Sequence, residues 1–201
     1  RQLGMVGLSQ VLALAVWFSS AAVPPGLQAE WGITASQGAL LSTATQLGFV
    51  IGALGIIATG LLDRTRAEWL LSACAMLAAA LTLSFALLAT TLPAAVVLRF
   101  FIGVLLAGVY PSGLKLASSW SLKYRARTLG FFGGALTLGS AMPYLVNGFG
   151  PWPWRTVMAC AALACFWGGV VSILWIRSGP YIEKGSTKLE INYSWRMFKE
   201  K

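Results

Sequence analysis

Six stretches of this chain, at approximately residues 5–27, 37–62, 68–90, 93–117, 128–147 and 156–177, stay apolar for about 20 residues each, the length a helix needs to cross a bilayer. That pattern leaves almost nothing for a soluble domain. Composition agrees, because the chain is 57% hydrophobic and 10% charged with a mean hydropathy of +0.73, whereas a soluble domain carries about 25% charged residues. The expectation is an all-α, multi-pass membrane protein of six transmembrane helices over residues 1–177, followed at 178–201 by an amphipathic cytoplasmic linker or tail.

The breaks between spans are short and carry turn chemistry. Thr34 and Gln37 in "AEWGITASQ" have the spacing of a capping box for the second span. "DRTRAE" at 63–68 is charged, Pro93 in "TTLP" stands where a helix begins, and "NGFGPWPW" at 147–154 is rich in Gly, Pro and Trp.

The formal charge of +9 raises nucleic acid as a partner, and its placement argues against that. With residue 1 in the cytoplasm, Arg1, Arg64, Arg66, Lys115, Lys123, Arg125, Arg127, Arg177, Lys184, Lys188, Arg196, Lys199 and Lys201 fall inside and Arg155 falls outside. This asymmetry is the positive-inside rule. It predicts a multi-pass protein of the cell's inner (plasma) membrane with both termini cytoplasmic, in contact with membrane lipids and not with nucleic acid. "VLALAVWFSSAA" at 11–22 has the look of a signal-peptide core, but cleavage there would leave five spans and spoil the charge distribution. Cys74, Cys160 and Cys165 lie within spans as small apolar residues. No cofactor motif or metal-ligand spacing is visible.

An internal repeat is suggested by two matches at nearly one offset. "VPPGLQ" (23–28) aligns with "YPSGLK" (110–115), and "ATQLGFVIG" (44–52) aligns with "ALTLGSAMP" (135–143), pairing Gly48 with Gly139. A three-helix unit ends on the side opposite its start, so its copy is inverted, an arrangement suited to alternating access in transporters.

The fourth span contains the residue that most needs explaining. Arg99 lies six residues after Pro93, about 9 Å below the outer edge by helical rise. A guanidinium at that depth can snorkel to the headgroups, but Arg99, Gly103, Tyr110 and Gly113 fall within about 40° of one line on the helix, a stripe suited to a cavity wall or a tight helix contact. No span interior contains a carboxylate and the chain has no His. The partners left for Arg99 are backbone carbonyls, a carboxylate from elsewhere, or an anionic solute. Trp17, Ser20, Gln46, Tyr110 and Tyr144 are further candidates for solute binding or coupling, and Asp63, Arg64 and Lys115 for gating. Gly48, Gly52, Gly103, Gly108, Gly139 and Pro143 are candidates for helix packing, as are Gly55, Gly130 and Gly134 by their spacing.

These residues together resemble the N-terminal half of a major facilitator superfamily transporter. "RFFIGVLLAGVYPSG" (99–113) is similar to that family's fourth-helix pattern, "GLLDRTR" (60–66) to its loop between helices two and three with Asp63 and Arg64 as the core, and "PWRTVM" (153–158) to its entry into helix six. Thr59, Arg66 and Ala67 depart from the loop's Gly and Gly-Arg positions, and the fifth span lacks the adjacent Gly-Pro of antiporters. The resemblance implies a secondary transporter that moves a small, possibly anionic, solute. It also implies a second six-helix half or another membrane subunit as partner, and the tail "GSTKLEINYSWRMFKEK" (185–201), with Ile191, Trp195 and Phe198 at helical spacing, resembles the start of an inter-half linker. The alternative is a membrane scaffold or assembly subunit that does not transport. An enzyme is not expected, since the chain has no Gly-x-Ser-Gly with a His and no Gly-Lys-Ser/Thr phosphate loop; Asn-Pro-Ala water-channel loops are absent too.

Overall fold

The computed structural model describes residues 2–120, 126, 129, 130, 133, 134, 137, 150 and 152–182. Helix α1 (Gln2–Ala22) stops just before Pro24 and Pro25. A prolyl nitrogen cannot donate to the preceding turn, so a new helix, α2 (Pro24–Trp31), begins with proline in its first turn and ends on the left-handed Gly32 at φ 64°. The sequence suggested one span running to residue 27, and the proline pair divides it. Next, α3 (Ala35–Thr59) begins with the capping box. Gln37 N–H donates to Thr34 Oγ1 at 3.3 Å, and Thr34 N–H donates to Gln37 Oε1 at 2.9 Å. Gly60, at φ 62°, closes α3 and opens the single turn α4 (Leu61–Arg64). Helices α5 (Ala67–Leu88), α6 (Leu92–Ser118, with Pro93 in its first turn) and α7 (Trp154–Trp175) complete the described elements.

Five of these helices are long and apolar enough to cross a membrane: α1 over Gln2–Ser20, α3, α5, α6 and α7. Residues 126, 129, 130, 133, 134 and 137 are helical, while the rest of the expected span at 128–147, with Gly139, Pro143 and Tyr144, lies outside the described residues. So does most of the 178–201 tail.

Helix α6 packs against α3, α5 and α1, and α7 packs against α1 and α5. Side chains form two apolar clusters. One joins Val6, Ala13 and Val16 of α1 to Leu71 and Ala75 of α5, Leu106 and Val109 of α6 and Cys165 of α7. The other, towards the α2 end, joins Leu27, Leu41, Phe85, Ala95, Trp154 and Met158. On α3, Leu47, Val50, Ile51 and Leu54 are exposed. Each such side chain left in water forfeits about 1.5–3 kcal/mol of burial, so this surface belongs in lipid.

Lipid removes the hydrophobic drive between helices, leaving close backbone packing as the source of cohesion. A Cβ on Gly48 would overlap the Phe100 carbonyl of α6, and one on Gly103 would overlap the Thr45 carbonyl of α3. The two glycines therefore admit each other's backbones. Gly52 lies on the same contact, Gly108 accommodates Cys74 of α5, and Gly168 of α7 lets α1 approach at Ser9 and Ala13. Gly55 faces open space, and so do Gly130 and Gly134 among the described residues.

Candidate functional site

Arg99 is completely buried, between the two apolar clusters. Helix α6 points its guanidinium across the bundle. Nη1 donates to the Val16 carbonyl of α1 at 3.3 Å, Nη2 reaches Met158 Sδ of α7 at 3.2 Å, and Cζ stands 5.0 Å from the centre of the Phe85 ring of α5. Nε has no partner. A guanidinium carries five N–H donors, so a long bond to a carbonyl and a contact with a thioether leave this cation poorly satisfied. Among the described residues the carboxylates Glu30, Asp63 and Glu68 are all paired with other cations. Burial of this kind rules out snorkelling.

Near Arg99 on α1, Ser20 is buried and donates to the Trp17 carbonyl at 2.6 Å, while the half-buried Trp17 ring meets Phe49 of α3 edge-on at 5.0 Å. Gln46 is exposed on α3. Tyr110 is half-buried on α6, about 16 Å further along the helix from Arg99. These residues thus occupy different depths, and only Trp17 and Ser20 adjoin the strand of α1 backbone that Arg99 contacts.

The stripe along α6 divides between two neighbours: α1 at Arg99, α3 at Gly103, and α1 again at Gly113. At the last of these, Gln10 of α1 is buried and its Nε2 donates to the Val109 carbonyl at 3.1 Å and the Tyr110 carbonyl at 3.2 Å. Its Oε1 is buried without a partner among the described residues, at a cost of about 1–3 kcal/mol. Gln10 drew no attention in the sequence.

One end of the bundle carries two ion pairs. Lys115 at the last turn of α6 donates to Asp63 Oδ1 at 2.7 Å and to the Leu62 carbonyl at 2.8 Å; Arg64 beside them is exposed. At the same end the buried Glu68 accepts from Arg66 Nη2 at 2.8 Å and from Ser178 Oγ at 2.8 Å, and its backbone carbonyl accepts from Ser172 Oγ at 3.0 Å. Beyond α7 the chain stays on the bundle, with Gly179 N–H donating to Ser119 Oγ at 2.9 Å and Tyr181 N–H to the Ser119 carbonyl at 3.1 Å. Gln2 donates to the Trp175 carbonyl at 3.3 Å, so α1 begins where α7 ends.

The opposite end is tied by Glu30, which accepts from Arg155 Nη2 at 2.8 Å and from Trp154 Nε1; Arg155 also donates to the Ala86 carbonyl at 2.8 Å. The Arg155 and Trp154 hydrogen bonds hold the Glu30 carboxyl below its ordinary value of 4.5. Glu68 and Glu30 were read in the sequence only as charges outside the span interiors; Glu30 takes its partners from more than a hundred positions away, and so does Glu68 its Ser178 contact, although its ion-pair partner Arg66 is two positions away.

A family model described as Major Facilitator Superfamily matches residues 6–196. No curated protein matches the chain.

Proposed function

The chain belongs to the major facilitator superfamily, and from that membership we propose that this multi-pass bundle is one six-helix half of a secondary transporter that carries a small anionic solute by alternating access. Members of the family are transport proteins and not enzymes. A second six-helix half or another membrane subunit supplies the other wall of the path, and the membrane is the plasma or inner membrane with both ends cytoplasmic, as the basic residues at the Asp63 end suggest.

Two inverted triplets are supported by the packing. Exchanging the first triplet for the second turns the α1–α7 contact into the α6–α5 contact, and both exist. A sixth crossing is supported by connectivity, because α6 reaches the Asp63 end at Lys115 whereas α7 starts at the Glu30 end at Arg155.

The observation that carries the solute class is Arg99, a buried cation with, among the described residues, an unpartnered N–H and no counter-carboxylate. A bidentate carboxylate or phosphate is what a guanidinium fork binds best. Opening the α1–α6 contact would admit such a group beside Trp17 and Ser20. Gln46 and Tyr110 line other depths of the path, Tyr144 is kept as a candidate from the sequence alone, and the Asp63–Lys115 bridge beside Arg64 closes one end of the path. The test is uptake into vesicles of labelled small carboxylates, phosphate, a neutral sugar and an amine, by the natural protein and by Arg99→Lys and Arg99→Gln. Carboxylate or phosphate uptake weakened in both variants supports the reading. Unchanged affinity and turnover in both would remove Arg99 from the path, and no flux of any solute would favour the scaffold alternative.

A further inference from the structure

Pro111 stands inside the continuous helix α6, and having no N–H it leaves the Ala107 carbonyl without its helical donor. Helices bend at such positions. At this point α1 contributes Gln10, whose two amide hydrogens go to the adjacent carbonyls of Val109 and Tyr110, immediately before the proline. The carboxamide lies where a side chain on residue 113 would be, since a Cβ on Gly113 would overlap Gln10 Nε2, Cδ and Cγ. Three residues on two helices therefore build one arrangement: Pro111 weakens the ladder, Gly113 opens a slot, and Gln10 fills it from the side. Among the described residues its Oε1 is left as a buried acceptor with no donor, so the contact holds α6 without satisfying the amide fully. Buried acceptors left in this condition call for an explanation, and a joint that must release supplies one.

We infer that Gln10 is a positioning residue that sets the bend of α6 at Pro111, and through it the position of the lever Pro111–Ser118. That lever ends in Lys115, which holds Asp63 and the Leu62 carbonyl. Releasing the carboxamide lets the lever tilt and carry the closed end of the bundle with it. As a step in transport this rests on the alternating-access reading; as a statement about the shape of α6 it does not.

The lever is about 11 Å long by helical rise, so a change of about 20° at the proline moves its tip by about 4 Å. The test uses the full chain in lipid nanodiscs without solute, with Cys74, Cys160 and Cys165 replaced by Ala and nitroxides at positions 8 and 118. A second pair at 8 and 174, joining α1 to α7, reports on the rest of the bundle. Gln10→Ala is expected to shift or broaden the 8–118 distance by about 4 Å and leave 8–174 unchanged. Gly113→Ala, which displaces the carboxamide by its methyl, is expected to do the same, and in a Pro111→Ala background, where the helical donor is restored, Gln10→Ala is expected to leave the 8–118 distance unchanged. An unchanged 8–118 distance in Gln10→Ala and Gly113→Ala, even with lowered thermal stability, would overturn the inference, and so would a shift by Gln10→Ala that is as large with alanine at 111 as with proline. Because no solute is present, a negative result here leaves the transport reading standing, and absent flux leaves this result interpretable.

Discussion

Replacing Arg99 by methionine separates what the guanidinium does for folding from what it does for a solute. Methionine keeps an unbranched stem of similar reach among Phe85, Met158 and Val16 and removes the charge. On the unfavourable side, a cation within a span costs roughly 2.5–3.5 kcal/mol, and the unpartnered Nε adds about 1–3 kcal/mol. On the favourable side, a hydrogen bond from a charged donor contributes about 1.5–3 kcal/mol, and a desolvated cation over an aromatic face about 2 kcal/mol. The terms nearly cancel. The variant should therefore differ from the natural protein by no more than about 2 kcal/mol, which at roughly 2–4 °C per kcal/mol for a chain of this size is a Tm change under about 8 °C in either direction. An anionic solute, in contrast, loses its charge-assisted hydrogen bonds, and its affinity should fall at least about tenfold, or ~1.4 kcal/mol. Thermal unfolding in nanodiscs and concentration-dependent uptake read the two quantities separately. A Tm loss well beyond 8 °C with unaltered solute affinity would refute the reasoning, because Arg99 would then be a fastener of helices and no more.

The α3–α6 contact predicts a contrast between two glycines three residues apart. A methyl on Gly52 would lie 2.6 Å from the Val104 carbonyl oxygen and 3.0 Å from Ala107 Cβ, so Gly52→Ala should destabilise by about 1–3 kcal/mol, whereas Gly55→Ala, facing open space, should not; equal Tm values would contradict the packing. Asp63→Asn should cost no more than about 1 kcal/mol, since both partners are partly exposed and Lys115 keeps the Leu62 carbonyl. It should nevertheless speed maleimide labelling of a cysteine placed at the buried Ser112, and unaltered labelling would exclude a gating role. For Glu30 the folded value lies below the ordinary 4.5, so the stability its ion pair adds is present above that value and lost as pH falls through the lowered one. The Tm difference between natural protein and Glu30→Gln should close on acidification, and a difference that survives well below pH 4.5 would show the contact to be something other than an ion pair.

What could be read from the sequence is what depends on neighbours along the chain. Apolar length marks four of the five described spans to within about a turn; Thr34 and Gln37 announce their capping box, and Pro93 its helix start, because both act within four residues. The proline pair at 24–25 was legible as a break and was still taken into the first span, since apolar content continues through Leu27. Contacts across the bundle were less accessible. Arg99 was recognisable as a costly group, but nothing in its own helix indicates that Val16, Met158 and Phe85 surround it. Gln10 shares the buried face of α1 with Ala13 and Leu14, and an amide on such a face was a signal that could have been followed. The small-residue stripe of α6 was visible by periodicity, but its division between α1 and α3 arises only when the helices are assembled.

The account requires that the chain cross the membrane between α6 and α7, since without that passage there are no two inverted triplets. Single cysteines at Arg64, Trp120, Thr90 and Trp152, in a chain whose native cysteines are Ala, can be labelled with a membrane-impermeant maleimide in vesicles of each orientation. Positions 64 and 120 are expected to react from the cytoplasmic side and positions 90 and 152 from the other. Labelling of 120 and 152 from the same side would contradict the account.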